Sequence, residues 1–189
     1  MRSAPARQAV SETVSALTRL RAAGCRLVFF KCCSTLDSAE ARDIGPVTDA
    51  SLAALGVGLA LACSAFPLNA RGVYNGYLFV GGVLLNESGM ENHPLTPMRD
   101  ANLVRVLSRQ TDGTVGLMPD SVVEQGAAAI RGAMTALAEQ GWSYAIVDAV
   151  GDVHLVAIGE AAAAHPPITS GSGVAMGLPA NLGLAGPLP

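Results

Sequence analysis

Charge is scarce in this 189-residue sequence: Asp, Glu, Lys and Arg together make up 14%, where about 25% is usual for a globular domain. Hydrophobic residues reach 50%, so the deficit of charge excludes a disordered chain. Aromatic residues are also few, at 4%, too few for a platform that stacks single-stranded nucleic acid. The formal net charge is −3 and the pI about 5.5, which leaves no basic footprint for DNA or RNA. The four cysteines, Cys25, Cys32, Cys33 and Cys63, form no CxxC pair and read as reduced thiols of a cytoplasmic protein. The N-terminus has no long apolar stretch and so no secretory signal. The uncharged run 50–70 is long enough for a membrane span. It is nevertheless rich in Ala, Gly and Ser and carries Pro67 and Asn69, and it reads as a buried helix running into a buried strand. Lysine is nearly absent: of 12 basic residues one is lysine, Lys31. A chain that writes arginine elsewhere has a compact ammonium at that position alone.

What is present is an alternation of elements. Residues 8–23 carry Val10, Val14, Leu17 and Arg21 on one stripe and stop at Gly24, as an amphipathic helix does. Arg26 to Phe30 is a short strand, and Gly45-Pro46 opens a second helix. Strands are expected near 26–30, 59–65, 74–80, 114–118 and 144–149, the third as a strand or hairpin. Asp100 is expected to cap a short helix containing Leu103, Val104 and Leu107. Val123, Ala127, Ile130, Met134 and Leu137 predict one helix over 120–140, and an alanine-rich helix follows over 152–164. The residues after Pro166 are rich in Gly, Pro, Ser and Ala and show no helical period. Strands alternating with helices predict an α/β fold, a three-layer sandwich with a mainly parallel sheet. Residues 1–165 form the domain, and 166–189 a Gly/Pro-rich segment leading out of it.

Ligands of an open α/β sheet bind at the carboxyl ends of its strands. The segment after the first strand, Lys31-Cys32-Cys33-Ser34-Thr35-Leu36-Asp37-Ser38, offers an ammonium for a carboxylate, and hydroxyls and an acid for a polyol. A solvated turn would have a similar composition. A second cluster, Glu87 to Met98, holds two acids, His93 and two prolines. Glu87, Glu91 and His93 could bind a metal, but no second histidine stands at helical spacing and the signal is weak. The glycine-rich 169–177 lacks the spacing of a Walker loop. No GxSxG elbow supports a catalytic serine.

The ordered set FFKCCSTLDS (29–38), Asp43-Ile44-Gly45-Pro46-Val47, Ala65-Phe66-Pro67, GYLFV (76–80), Glu87-Ser88-Gly89-Met90, HPLTPMRDANLVRVLSRQT (93–111), Val147-Asp148-Ala149 and GSGVAMGLP (171–179), preceded by Arg2-Ser3 and Pro5, resembles the four-carbon acid sugar kinase family. That family includes the 3-oxo-tetronate and threonate kinases, and the likeness runs over essentially the whole chain. It implies transfer of the γ-phosphate of ATP, with Mg²⁺, to the terminal hydroxyl of a four-carbon sugar acid such as 3-oxo-tetronate, threonate or erythronate. In such enzymes an N-terminal α/β domain holds the acid and a C-terminal domain holds ATP. The substrate residues implied by the resemblance are Arg2, Ser3, Lys31, Ser34, Thr35, Asp37, Ser38 and His93. No catalytic residue and no metal ligand carries over.

The family's Asp-Asp-x-Thr-Gly-type motif does not occur in this chain, and a nucleotide domain would follow Pro189. The expectation is therefore a substrate-side fragment, inactive alone, that binds neither ATP nor Mg²⁺ tightly. Its partners would be a small-molecule sugar acid and a separately encoded nucleotide-binding chain, with no nucleic acid and no membrane. The other reading is a non-catalytic sugar-acid-binding remnant or subunit. A stand-alone metal hydrolase built on Glu87, Glu91 and His93 is the third.

Overall fold

The computed structural model describes residues 5–25, 27–36, 43–164 and 168–183. In chain order the helices are α1 (Ala6–Ala22), α2 (Ile44–Leu55), α3 (Leu103–Ser108), α4 (Asp120–Val123), α5 (Ala127–Glu139) and α6 (Asp152–Ala161). The strands are β1 (Phe29–Lys31), β2 (Ala60–Cys63), β3 (Arg71–Tyr74), β4 (Tyr77–Val80), β5 (Val83–Leu84), β6 (Val115–Met118), β7 (Tyr144–Val147) and β8 (Ile168–Ser170). Five strands form one parallel sheet in the order β1-β8-β2-β7-β6, and β3-β4-β5 form a separate antiparallel meander.

The sheet is α/β as its sequence predicts. The β1–α2–β2 connection runs across the sheet in one direction, and β6–α5–β7 and β7–α6–β8 run in the other. Crossovers keep one hand, so a reversal of direction sends the helices to opposite faces. The packing agrees: α1 lies on α2, and α5 on α6. Strand β7 is buried at every residue, and its Ile146 shares the core with Met118, Ile130, Leu155, Ile158 and Ile168, all essentially without exposure. That is why these strands read as unbroken apolar runs rather than as alternating ones. Among the described residues no helix is long and apolar enough to cross a membrane. The uncharged run 50–70 divides into the end of α2, a left-handed Gly56 and β2.

Four expectations need correction. The helix expected over 120–140 is two, because the chain turns at Gly126, whose φ is +86°. Asn102, not Asp100, caps α3: its side-chain oxygen accepts from Arg105 N–H at 3.0 Å, while Asp100 accepts from Asn102 N–H one turn earlier. The run 74–80 contributes to the meander and not to the main sheet. Its two hairpins close on Asn75-Gly76 and Gly81-Gly82, all four at positive φ, the two-residue turns whose twist matches paired strands. Finally, residues 168–170, within the Gly/Pro-rich stretch, form β8, an interior strand of the parallel sheet.

The meander is fastened to the sheet at one place. Val73 and Ala149 exchange both backbone hydrogen bonds, at 2.8 and 2.9 Å. Beside them Asp148, fully buried at the end of β7, accepts from the amides of Asn75 at 2.7 Å, Gly76 at 2.9 Å and Asp120 at 3.1 Å. One carboxylate thus holds both amides of the first hairpin turn and the start of α4.

Candidate functional site

All five strands of the main sheet end at one edge, where the chain turns out into loops. After β1 the chain leads to α2 on one face. After β8 it leads to a 3₁₀ segment (Ser172–Gly177) that packs on α6 on the other. Neighbouring parallel strands whose continuations part to opposite faces leave a crevice between their carboxyl ends, and this is where such sheets bind ligands. The crevice here is walled by Lys31 to Thr35 on one side and Gly171 on the other.

Lys31 is the last residue of β1, in register with Ser170, and is exposed. Cys32 N–H donates to the Ser170 carbonyl at 2.9 Å, which carries the ladder one step past the strand. A turn follows, closed by Leu36 N–H to the Cys33 carbonyl at 3.0 Å, with Leu36 itself at φ +47°. Ser34 is half-buried and Thr35 buried; Cys33 Sγ and Thr35 Oγ1 are 3.2 Å apart. A side chain at Gly171 would meet Ser34 Cα at 3.5 Å, so the turn and β8's exit are in near contact. Of the residues implied by the resemblance, Lys31, Ser34 and Thr35 therefore share one crevice. Arg2, Ser3, Asp37 and Ser38 lie outside the described residues. His93 belongs to a different loop, where its Nδ1 accepts from Thr96 N–H at 3.1 Å and meets Thr96 Oγ1 at 3.0 Å.

Sequence reasoning missed Ser64. It follows β2, the strand on the far side of β8, and is buried with a hydroxyl that has no hydrogen-bond partner. The neighbouring Cys63 carbonyl is taken by Gly171 N–H at 2.9 Å and by the Ser170 hydroxyl. Ser64 sits in the apolar run LALACSAF, where no local signal separates it from a core filler. Only the strand order brings it to the crevice.

Cys32 and Cys63 are not nucleophiles of this site. Burial pushes Cys32 and Cys63 up to about 12, so both stay protonated at neutral pH, whereas a reactive cysteine needs its thiolate. Asp148 is also raised, because burial outweighs the three amides that pull the other way; its hydrogen bonds make it structural. Glu87, Glu91 and His93 do not converge: among the described residues the one group of metal-ligating type is Asp120, Glu124 and His154. That overturns the metal-hydrolase reading of the 87–93 loop.

The glycines of the 169–177 stretch serve close packing. A Cβ at Gly173 would stand 2.8 Å from the Ala65 carbonyl oxygen, and one at Gly177 2.4 Å from that of Val156. A Cβ at Gly159 of α6 would stand 2.7 Å from Gly177 Cα. These glycines let the 3₁₀ segment lie directly on α6 and on the exit of β2.

A family model described as "Sugar-binding N-terminal domain" matches residues 1–178. The chain belongs to this family. Among curated relatives it is 56% identical over 180 residues to the 3-oxo-tetronate kinase of Burkholderia multivorans, covering 95% of this chain and 42% of that one. It is 54% identical over 188 residues to the 3-oxo-tetronate kinase of Cupriavidus necator, covering 100% and 44%. The chain thus spans less than half the length of the curated relatives it matches. The crystal structure of a Haemophilus influenzae protein of the DUF1537 family superposes with a TM-score of 0.92 at 44% identity, over 96% of this chain and 44% of that one. A Bordetella bronchiseptica DUF1537 domain, at 23% identity and a TM-score of 0.78 over 96% of this chain and 42% of that one, shares the fold. The likeness to four-carbon acid sugar kinases is therefore a family relationship, and the part represented is the sugar-binding one.

Proposed function

We propose that this chain binds a four-carbon sugar acid at the β1–β8 crevice and is the substrate-holding part of an ATP-dependent kinase for that acid, 3-oxo-tetronate foremost. The observation that carries the reading is the position of Lys31. It is the chain's single lysine, at the carboxyl end of β1 where the two faces of the sheet part. Its ammonium takes the acid's carboxylate. The hydroxyls of Ser34, Thr35 and Ser64 take the sugar hydroxyls, and Asp37, Ser38, Arg2 and Ser3 are added to them by the family resemblance. His93, whose Nδ1 is held by Thr96, is included on the resemblance and keeps Nε2 for a ligand. The names of the relatives support the choice of acid.

ATP, when bound by the whole enzyme, supplies the phosphoryl group, and Mg²⁺ neutralises its charge. The packed glycines of 169–177 support the view that neither is held by the described residues. The role left to this chain is to orient the acid by its carboxylate and present its terminal hydroxyl outward. Alone it is expected to bind the acid and to hydrolyse no ATP.

Calorimetry of the purified chain with 3-oxo-tetronate, threonate and erythronate tests this. An ammonium–carboxylate contact contributes about 1.5–3 kcal/mol, so Lys31→Ala should weaken binding roughly ten- to a hundredfold. Lys31→Arg should rescue poorly, because its planar fork is longer and differently hydrated. Equal affinities for wild type and Lys31→Ala would remove Lys31 from the site. Absence of binding by wild type at millimolar acid would remove the reading.

A further inference from the structure

Three side chains on the other half of the same edge have no part in sugar-acid binding. Asp120 opens α4 behind β6, Glu124 follows its last turn, and His154 stands in the first turn of α6 behind β7. One ligand-type atom from each lies within 4.8 Å of the others. Val150 N–H donates to His154 Nδ1 at 3.2 Å, so this nitrogen carries a lone pair and the neutral ring holds its proton on Nε2. The same Nδ1 stands 3.5 Å from Asp120 Oδ1, an oxygen that is buried and has no hydrogen-bond partner. No proton lies between the two atoms, and the Nδ1 lone pair is held by the Val150 amide in a long bond that a cation taking that lone pair would displace. The gap exceeds the roughly 2.7–3.2 Å of an N–H···O bond. It is close to the edge of a coordination tetrahedron, because donors about 2.0–2.1 Å from a zinc ion stand about 3.4 Å apart. The surroundings add negative charge: Asp148 lies close enough to feel Asp120, and Asp152, also in the first turn of α6, has a buried oxygen without a partner.

We propose that Asp120, Glu124 and His154 form a binding site for a divalent transition cation of the Zn²⁺ class. One imidazole with two carboxylates suits such a borderline ion. Mg²⁺ prefers an octahedral shell of oxygen and keeps its waters, so this is not the metal of phosphoryl transfer. The site lies three strand spacings, about 14 Å, from the gap between β1 and β8, with the exit of β2 and its Ser64 in between. Its ligands come from the segments after β6 and β7, so a bound ion ties α4 to α6 across the carboxyl edge.

Titration of the purified chain with Zn²⁺ against a chromogenic chelator tests the proposal, with Tm as a second readout. One equivalent should bind, raise Tm in a concentration-dependent way, and resist displacement by millimolar Mg²⁺. His154→Ala and the exposed Glu124→Gln, each checked for folding by circular dichroism, should weaken that equivalent about tenfold or more, as loss of even an outer-shell partner does. No binding, binding indifferent to either substitution, or displacement by Mg²⁺ would overturn it. Zinc held by the cysteines instead survives both substitutions and counts against the site.

Discussion

Removing the Asp148 carboxylate should detach the meander from the sheet. Three backbone amides point at it, those of Asn75, Gly76 and Asp120, at 2.7, 2.9 and 3.1 Å. Asn75 is exposed and can turn to water; Gly76 is buried and cannot; Asp120 is between. A hydrogen bond to a charged group contributes about 1.5–3 kcal/mol, and a buried donor left unmatched costs about 1–3 kcal/mol. Against this stands the cost of burying the carboxylate itself, which the raised pKa of Asp148 records. Counting Gly76 fully and Asp120 in part, and subtracting that cost, Asp148→Ala should lose about 3 kcal/mol. Asp148→Asn should lose less, since its amide oxygen still serves one or two of the donors. In urea, with a slope of about 2 kcal/mol per molar, the alanine variant's midpoint should fall by about 1.5 M. Hydrogen exchange gives the site-specific check: the Gly76 amide should lose roughly a hundredfold in protection. An alanine variant within 0.5 kcal/mol of wild type, by the criterion that ordinary surface changes stay in that range, would refute the reasoning. So would an asparagine variant less stable than the alanine one.

Two other outcomes follow from charges and thiols. Under native conditions at pH 8 a thiol reagent should modify Cys25, which is exposed, while Cys32 and Cys63, buried and pushed up to about 12, react only on unfolding; fast native labelling of either would contradict the packing. The Arg105 guanidinium, paired with Asp100 at 2.7 and 3.0 Å, holds that carboxyl below its ordinary range. A depressed carboxyl contributes stability above its unfolded pKa, near 4, and loses it as pH falls through its folded value. The Tm gap between wild type and Arg105→Gln should therefore close on acidification below pH 4, and a gap constant down to pH 2.5 would rule the pair out as its source.

The fold class and four of the five parallel strands could be read from the sequence, because a strand buried on both faces leaves an unbroken apolar run. Strand β8 could not: Ile168-Thr169-Ser170 is too short and too polar to mark a strand. It is one because its neighbours β1 and β2 supply both ladders and Thr169 meets Thr48 of α2 at 3.1 Å. The break at Gly126 was hidden by an apolar period that continues across it, since α4 and α5 both turn one side to the core. Asn75-Gly76 and Gly81-Gly82 are hairpin signals in plain view, but that the first is held by an aspartate seventy residues on is a fact of tertiary structure. At the crevice the order of residues gave Lys31 to Thr35 a chemical character. Ser64, at the exit of the adjoining β2, has none in its local context.

The place of β8 sets a timetable. Strand β1 has a single neighbour in the sheet, and that neighbour is made from residues 168–170. During synthesis at about 5–20 residues per second, Phe29 to Lys31 wait roughly 7–30 s before their partner exists. Until then β1 has no ladder and β2 lacks one of its two, and both present open edges of the kind that pair with other chains. The crevice whose walls are the ends of β1 and β8 is for the same reason the last part of the sheet to form. A ribosome-bound chain stopped before residue 168 would already carry Lys31, Ser34 and Thr35, yet it would lack the wall that turns them into a pocket.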